Sequence, residues 1–284
     1  MRTARILALA AASALALAAC APVDDEPAAG ASESAAAGEL DTLTDGVLTI
    51  GTSDPGYEPW IVDNDPTNGE GFESAVAYAV AQQLGYSEDQ VEWVPVTFDQ
   101  IIAPGAKSFD FAINQVSISP ERAENLDFSS SYYDTAQAVV TVEGSAAADA
   151  SSLADLKDLK LGAMVGTTSL SIAEDVIAPT TDIQVFNDND QVKQALSAGL
   201  VDAVVYDLPT ALYVTAAELD GGVLIGQLPA DDEADADQFG LVLDKGSSLT
   251  GPVTDAVDAL REDGTLADLE SQWLTDAAGA PVLQ

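Results

Sequence analysis

The chain has 284 residues and is strongly acidic, with 48 Asp and Glu against nine Lys and Arg and a formal net charge of −39 at pH 7. This charge argues against binding to nucleic acid and against electrostatic attachment to anionic membranes. The chain has no histidine and a single cysteine, which excludes histidine bases, histidine metal ligands and intrachain disulfides, and we expect neither a metal nor a cofactor.

The first twenty residues have the order of a secretory signal. Arg2 and Arg5 precede an apolar run over residues 6–17, which is short for a membrane-spanning helix. The Leu-Ala-Ala-Cys sequence that ends at Cys20 resembles the bacterial lipobox, in which the cysteine is lipidated. The alternative is an ordinary cleavage site beside a stray cysteine. We expect residues 1–20 to be a lipoprotein signal peptide, which leaves no thiol nucleophile.

Residues 21–40 consist mainly of Ala, Ser, Pro and acidic residues and show no apolar periodicity. This composition is typical of a flexible tether. The rest of the chain is long enough to form two lobes.

After the tether, short apolar runs alternate with helical patterns. The predicted elements are a strand over 47–52, a helix over 72–84, a strand over 91–96, a helix over 98–106 that Pro104 breaks, and a strand over 109–113. The same order recurs further along the chain, in the elements 159–165, 169–177, 182–186, 188–198 and 200–206. This alternation favours parallel sheets that are covered on both faces.

Ligands of such sheets bind at the carboxyl ends of the strands. Four predicted loops lie at these ends: residues 53–59, 114–119, 166–168 and 207–209. The sequence therefore predicts a ligand site formed by loops from both halves of the chain.

Two extended apolar segments, residues 135–142 and 238–243, are predicted to be crossing strands that join the halves. The resulting assignment is lobe I, 41–135 with 238–284, and lobe II, 136–237. A helical stripe over 253–273 is expected to pack back on lobe I, and residues 231–237 are predicted to form an acidic, solvated loop.

Arg122 stands out because cations are so scarce in this chain. Ser119 suits a helix N-cap and Pro120 suits the first helical position, so a short helix is predicted to carry Arg122. A guanidinium beside a loop of hydroxyl and N–H donors suits a carboxylate ligand. The alternative is a surface arginine that pairs with the acidic residues at 121, 124 or 127.

An ordered set of short motifs runs along the chain. The motifs are Gly51-Thr52 with Asp54, Tyr57, Pro59 and Trp60; Gly71-Phe72-Glu73; Ser117 to Ala123; Asp127-Phe128-Ser129; Tyr132-Tyr133; Asp155-Leu156 with Gly162; Gly166-Thr167-Thr168; and Asp207. Over about residues 45–275 this set resembles the family-3 extracellular solute-binding proteins, the polar amino-acid receptors of ABC importers. Two departures are Ala75, where the family usually has a second acid, and Asn114-Gln115-Val116, where it usually has small residues.

The resemblance implies an α/β fold of the two-lobed, periplasmic-binding-protein-like type II, in which each lobe is a mostly parallel sheet with flanking helices. It implies a monomeric bacterial lipoprotein, anchored through Cys20 to the outer face of the cytoplasmic membrane, that delivers an amino acid to an ABC permease. Two alternatives stay open: a periplasmic dehydratase-like enzyme, for which Glu73 or Asp207 is a candidate acid, and a ligand-sensing lipoprotein.

The resemblance also implies the roles of the residues in the cleft. Arg122 would hold the α-carboxylate of the ligand together with Thr167-Thr168 from the opposite lobe, with a simple threonine N-cap as an alternative that is compatible with this role. Asp207 would pair with the ligand ammonium, with an N-cap role as the alternative. Gln115 and Ser117 would offer carbonyl and hydroxyl groups to the ligand, although both also suit a plain loop.

The ligand side chain would meet the remaining candidates. Tyr57 and Trp60 would sandwich it, with core packing as the alternative for Trp60, and Ile101 would add an apolar floor. Asp54 and Glu58 are candidates to bind a cationic side chain, with exposed loop acids as the alternative.

The scarcity of cations also restricts the side chain of the ligand. Besides Arg122, the cations that follow Cys20 are Lys107, Lys157, Lys160, Lys193, Lys245 and Arg261. None of them falls in the four predicted ligand loops. Because an acidic side chain would need a second cation, we expect an amino acid with a neutral or cationic side chain.

Overall fold

The structure is a computed structural model that describes residues 40–229, 237–274 and 280–284. The expected signal peptide, nearly all of the expected tether and most of the expected acidic loop lie outside the described residues. Within these ranges the strands form two five-stranded sheets.

The strands of the described chain have two to ten residues. They are β1 (Leu48–Thr52), β2 (Val91–Pro95), β3 (Phe111–Ala112), β4 (Leu126–Thr135), β5 (Gln137–Val142), β6 (Leu161–Met164), β7 (Gln184–Phe186), β8 (Ala203–Asp207), β9 (Gly222–Gln227) and β10 (Asp237–Asp244). Strands β1, β3, β5, β6 and β8 are the most buried. Strands β4 and β9 were not predicted as elements.

The α-helices of the described chain cover the sheets. They are α1 (Phe72–Gln83), α2 (Phe98–Ile102), α3 (Pro120–Ala123), α4 (Leu153–Leu156), α5 (Thr168–Ile172), α6 (Asn189–Ser197), α7 (Leu208–Tyr213), α8 (Thr250–Glu262) and α9 (Thr265–Trp273). Short π-helical segments, Ala173–Ile177 and Val214–Glu218, continue α5 and α7.

Both sheets are mixed. The first has the order β2-β1-β3-β10-β4 and the second the order β7-β6-β8-β5-β9. In each sheet the first three strands are parallel, and the fourth strand is antiparallel to both of its neighbours. The expected two-lobed α/β fold is confirmed, with one antiparallel strand in each sheet, β10 in the first and β5 in the second.

The two lobes are connected where β4 passes into β5 at Ala136. The predicted crossing segment 135–142 is therefore β5, which belongs to the second sheet. The second predicted crossing strand, 238–243, is β10 and pairs within the first sheet. The crossing that precedes β10 includes residues outside the described ranges.

Helices α8 and α9 pack on the first lobe, as the helical stripe predicts. Val253, Val257, Leu260 and Leu266 belong to the core cluster that also contains α1. The end of the chain departs from the predicted boundary, because residues 280–284 lie against the second lobe. The Gln227 N–H donates to the Pro281 carbonyl at 2.7 Å, and Leu283 is buried in the core of the second lobe.

Local sequence explains the placement of the cleft helices. Ser119 caps α3 by accepting a hydrogen bond from the Arg122 N–H at 3.2 Å, as predicted. Thr167 caps α5 and Asp207 caps α7 in the same way. Each cap satisfies an otherwise unpaired N–H group at the start of a helix and fixes where the helix begins.

Candidate functional site

A cavity of about 640 Å³ lies between the two lobes. Its walls include Ser53 and Tyr57 after β1, Gln115 and Ser117 after β3, and Thr167-Thr168 after β6. Asp207, at the end of β8, also faces it. All four loops that the sequence predicts therefore meet at the carboxyl ends of parallel strands, where ligands of such sheets bind.

Arg122 reaches from the first lobe to the second. Its guanidinium donates to the Ser117 carbonyl at 2.7 Å and to the Gly166 carbonyl at 2.9 Å. The centre of the guanidinium lies 5.6 Å from the centroid of the Phe98 ring, within the range of a cation–π contact. Burial lowers the pKa of Arg122, and the charges of Asp237 and Glu121 oppose that shift. Arg122 faces the cavity and makes no ion pair among the described residues.

A chain of hydrogen bonds continues from Ser117 across the cleft. The Thr168 hydroxyl donates to Asp237 Oδ2 at 2.7 Å and lies 3.0 Å from the Ser117 hydroxyl. Because a hydroxyl has one proton to donate, Ser117 must donate to Thr168. Gln137 donates to the same oxygen of Asp237 at 2.8 Å. These bonds hold the two lobes together beside Arg122.

Asp207 has a dual position, as an N-cap and as a wall of the cavity. Its Oδ1 accepts a hydrogen bond from the Thr210 N–H at 3.0 Å. Burial raises the pKa of the Asp207 carboxyl to about 6, and the negative charge of Asp237 adds to that rise. The two interpretations drawn from the sequence are therefore compatible, since the cap uses one oxygen of the carboxylate.

The comparison with known families adds a separate observation. The family of bacterial extracellular solute-binding proteins, family 3, matches residues 48–276. The chain belongs to this family. The match spans both sheets and every cavity loop described above.

Relatives of this solute-binding protein have known names and structures. It is 28% identical to the L-arginine-binding protein of Pseudomonas aeruginosa over 77% of this chain and 85% of that protein. It is also 28% identical to the L-cystine-binding protein TcyJ of Escherichia coli, over 80% and 82% of the two chains. A solved ancestral arginine-binding protein bound to glutamine is 31% identical, with a TM-score of 0.68, over 81% of this chain and 98% of the other.

The cavity of this solute-binding protein is lined mainly by acidic and neutral polar groups. Its acidic side chains are Asp54, Asp99, Asp188, Asp190 and Asp207. Among the described residues that line it, Arg122 is the one cation. Lys193 does not line the cavity, but it pairs with Asp190, which does, and with Glu218.

Tyr57 and Asp54 line the cavity, whereas Glu58 does not. Burial raises the pKa of the Tyr57 hydroxyl, and the charges of Asp190 and Asp188, at the start of α6, add to that rise. Asp54 is exposed at the rim and accepts a hydrogen bond from Asn64 at 3.3 Å. A candidate pair for a ligand side chain is therefore Tyr57 with an acid at the cavity rim.

Trp60 and Ile101 do not line the cavity, contrary to the prediction. Both are fully buried, Trp60 against the rings of Phe72, Tyr133 and Phe239 and Ile101 in the apolar cluster on the other face of the first sheet. The Trp60 indole N–H donates to the Thr210 hydroxyl at 2.8 Å. The alternative prediction for Trp60, packing in the core, is therefore correct. Its indole N–H also links the core of the first lobe to Thr210 of the second lobe.

Among the residues that the predictions missed are three that line the cavity and a fourth, Asp237, that bonds to two lining residues. Phe98, Asp99 and Gln137 line the cavity but stand outside the four predicted loops. Asp237, placed by the prediction in a solvated loop, is half-buried and starts β10. Phe98 could have been found as the first residue of the predicted helix over 98–106. Gln137 could have been found from its place in the predicted crossing segment, 135–142. No local signal marks Asp237, because its partners lie 69 and 100 residues away.

Two further observations concern the described residues alone. None of their helices combines the length and apolarity needed to cross a bilayer. They also contain no group of three or more Cys, His, Asp or Glu side chains arranged to hold a metal ion.

Proposed function

We propose that this protein binds one polar amino acid, with a neutral or cationic side chain, in the cavity between its lobes and delivers it to the permease of an ABC importer. The observation that carries the proposal is that Arg122 and Asp207, which have opposite charges, border the same cavity. The α-carboxylate would pair with the Arg122 guanidinium and the ammonium with the Asp207 carboxylate. The names of related proteins, which bind arginine or cystine, support an amino acid as the ligand.

The acidic lining supports a neutral or cationic side chain. An anionic side chain would meet Asp188 or Asp54 without a second cation among the described lining residues, whereas the charge of Asp190 is already paired with Lys193. Uncompensated like charges at close range are unfavourable, and more so in a partly desolvated cleft. Glutamate and aspartate should therefore bind much more weakly than their amides.

Ligand contacts with both lobes would favour the closed arrangement of the cleft. Arg122 belongs to the first lobe and Asp207 to the second, so a ligand that pairs with both gains binding energy in the closed form alone. The inter-lobe bonds Arg122–Gly166, Ser117–Thr168 and Trp60–Thr210 would be made in the same closed form. The permease would then receive the closed, loaded protein.

We also propose that Cys20 carries a lipid that holds the protein on the outer face of the cytoplasmic membrane and that the protein works as a monomer. The lipobox-like sequence before Cys20 supports the anchor. Replacing Cys20 with alanine should move the protein from the membrane fraction to the soluble fraction when the full chain is expressed in a bacterium. An unchanged membrane fraction would contradict the anchor.

A ligand screen tests the proposed function directly. Thermal unfolding is measured with each of the twenty amino acids, ornithine and citrulline, since a ligand that binds the folded state raises its stability by mass action. Titration calorimetry then compares two matched pairs, arginine with citrulline and glutamine with glutamate. We expect binding of at least one neutral or cationic member, and glutamate weaker than glutamine. The proposal would be refuted if glutamate binds tightly or if no amino acid binds. Turnover of a bound compound would favour the dehydratase-like alternative.

A further inference from the structure

A buried carboxyl group, that of Glu73, lies behind the cavity wall. Glu73 is the second residue of α1, is fully buried and does not line the cavity. It receives three hydrogen bonds, from the Gln115 backbone N–H at 2.7 Å, from the Gln115 side-chain amide and from the Tyr132 hydroxyl. A carboxylate without a cationic partner is costly to bury, so these donors are what make the arrangement stable.

Gln115 is held in an uncommon backbone conformation. Its φ is +46°, in the left-handed region that residues with a side chain seldom adopt. Both nitrogens of Gln115, on the backbone and on the side chain, donate a hydrogen bond to Glu73. The Gln115 side chain is thus drawn toward the core, although the residue itself borders the cavity.

The turn at Gln115 determines how the rest of the loop meets the cavity. Ser117 follows two residues later, and its carbonyl accepts the hydrogen bond from Arg122 at 2.7 Å. On the other side Asn114 accepts a hydrogen bond from the Ser53 hydroxyl at 3.0 Å, which ties this loop to the loop after β1. A change of φ at Gln115 would move both contacts, because they lie on either side of the turn.

In this conformation the backbone carbonyl of Gln115 has no hydrogen-bond donor within the described part of the protein. An unpaired carbonyl beside a cavity suits a ligand that brings its own donor, such as the ammonium of an amino acid.

We infer that Glu73 is a positioning residue: it holds Gln115 in the left-handed conformation and thereby directs the Gln115 carbonyl toward the ammonium of the ligand and the Ser117 carbonyl toward Arg122. This inference rests on the proposed function. Glu73 does not touch the ligand and acts through Gln115 alone. The dehydratase-like alternative, in which Glu73 would be an acid in the cleft, does not fit a carboxyl group that is sealed from the cavity.

The test uses Glu73→Gln, which keeps the shape of the side chain but leaves a single acceptor oxygen for the Gln115 backbone N–H, the Gln115 amide and the Tyr132 hydroxyl. We expect the affinity for the amino acid selected by the screen, measured by titration calorimetry, to fall about tenfold or more. Tyr132→Phe is the matched control. It removes the third donor and leaves both bonds from Gln115, so it should lower the stability while the affinity changes less than about twofold.

A rescue separates positioning from general destabilisation. Glycine adopts positive φ without an anchor, so Gln115→Gly should make the loop independent of Glu73. The double variant Glu73→Gln/Gln115→Gly should then bind within about threefold of Gln115→Gly alone. A purely structural role for Glu73 predicts no such rescue. If Glu73→Gln does not fold, Gln115→Ala removes the side-chain bond from the loop side and should weaken binding about threefold, and an unchanged affinity would overturn the inference.

Amide hydrogen exchange of the ligand-free proteins distinguishes a failure of this inference from a failure of the proposed function. Glu73→Gln should speed exchange in residues 114–119 and leave α8 unchanged, whether or not an amino acid binds. If wild type binds no amino acid, the proposed function fails, and the exchange data still decide whether Glu73 holds the loop. Wild-type exchange in residues 114–119 of Glu73→Gln, or an affinity within twofold of wild type, would overturn the inference.

Discussion

Lowering the pH from about 7.5 to about 5 is expected to weaken amino-acid binding about tenfold, because the ligand ammonium requires an ionised Asp207. Burial raises the pKa of Asp207 to about 6 in the ligand-free protein. With that value nearly all molecules carry an ionised Asp207 at about pH 7.5, and roughly one in ten does at about pH 5. The affinity is therefore highest at pH values above the pKa of Asp207 and decreases as the pH falls through that pKa. The tenfold loss corresponds to about 1.4 kcal/mol of binding free energy.

Titration calorimetry across this pH range measures the effect. Binding should release about half a proton per ligand near pH 6, since Asp207 must lose its proton there, and two buffers with different ionisation enthalpies reveal that release. Asp207→Asn is the matched control, because it keeps the shape and cannot titrate. Burial also raises the pKa of Glu73, to about 7, and any slope that remains in Asp207→Asn would be due to Glu73 or another group.

Two results would refute this reasoning. The first is an affinity that stays constant or increases as the pH falls from about 7.5 to about 5. The second is an equally steep pH dependence in Asp207→Asn, which would assign the titration to a different group and leave the ammonium without its proposed partner.

Three further outcomes are expected. Arg122→Ala should cost about 2–5 kcal/mol of binding free energy in calorimetry, whereas Lys160→Ala, which removes an exposed cation, should bind like wild type. Burial raises the pKa of Glu73 to about 7, from 4.5 for a free side chain. The protonated carboxyl therefore adds about 3 kcal/mol to the free energy of unfolding below about pH 4.5, and this contribution is lost as the pH rises through about 7. Urea unfolding should show this pH dependence in wild type and not in Glu73→Gln. Asp237→Asn should shift the midpoint of the pH dependence of binding to lower pH, because the Asp237 charge raises the pKa of Asp207; an unmoved midpoint would contradict that coupling.

The placement of the cleft could be predicted from the sequence because it follows from the order of the elements. Once strands and helices alternate, the residues after each parallel strand must meet at one edge of the sheet, which is where Ser117, Thr168 and Asp207 lie. Arg122 could be placed there as well, since Ser119 and Pro120 define the start of the helix that carries it.

Side-chain burial and long-range pairing could not be predicted in the same way. Trp60 and Ile101 are apolar residues near cavity loops, and whether such a side chain faces a cavity or the core depends on the packing of α1 and β10, which local sequence does not specify. Asp237 acquires its role from Thr168 and Gln137, far away in the sequence. The same limit applies to the last residues of the chain, whose pairing with Gln227 at the end of β9 departs from the predicted lobe boundary.

The bond between Trp60 and Thr210 gives the protein an internal optical probe of lobe movement. The Trp60 indole is packed in the core of the first lobe, and its N–H donates a hydrogen bond to the Thr210 hydroxyl of the second lobe. Separation of the lobes would strip the N–H of its partner and admit water to the ring edge, which shifts indole emission to longer wavelengths. Of the three tryptophans, Trp93 and Trp273 pack with the first lobe alone. The double variant Trp93→Phe/Trp273→Phe would therefore keep Trp60 as its one tryptophan, and the wavelength of its fluorescence maximum would report opening and closing without any added label.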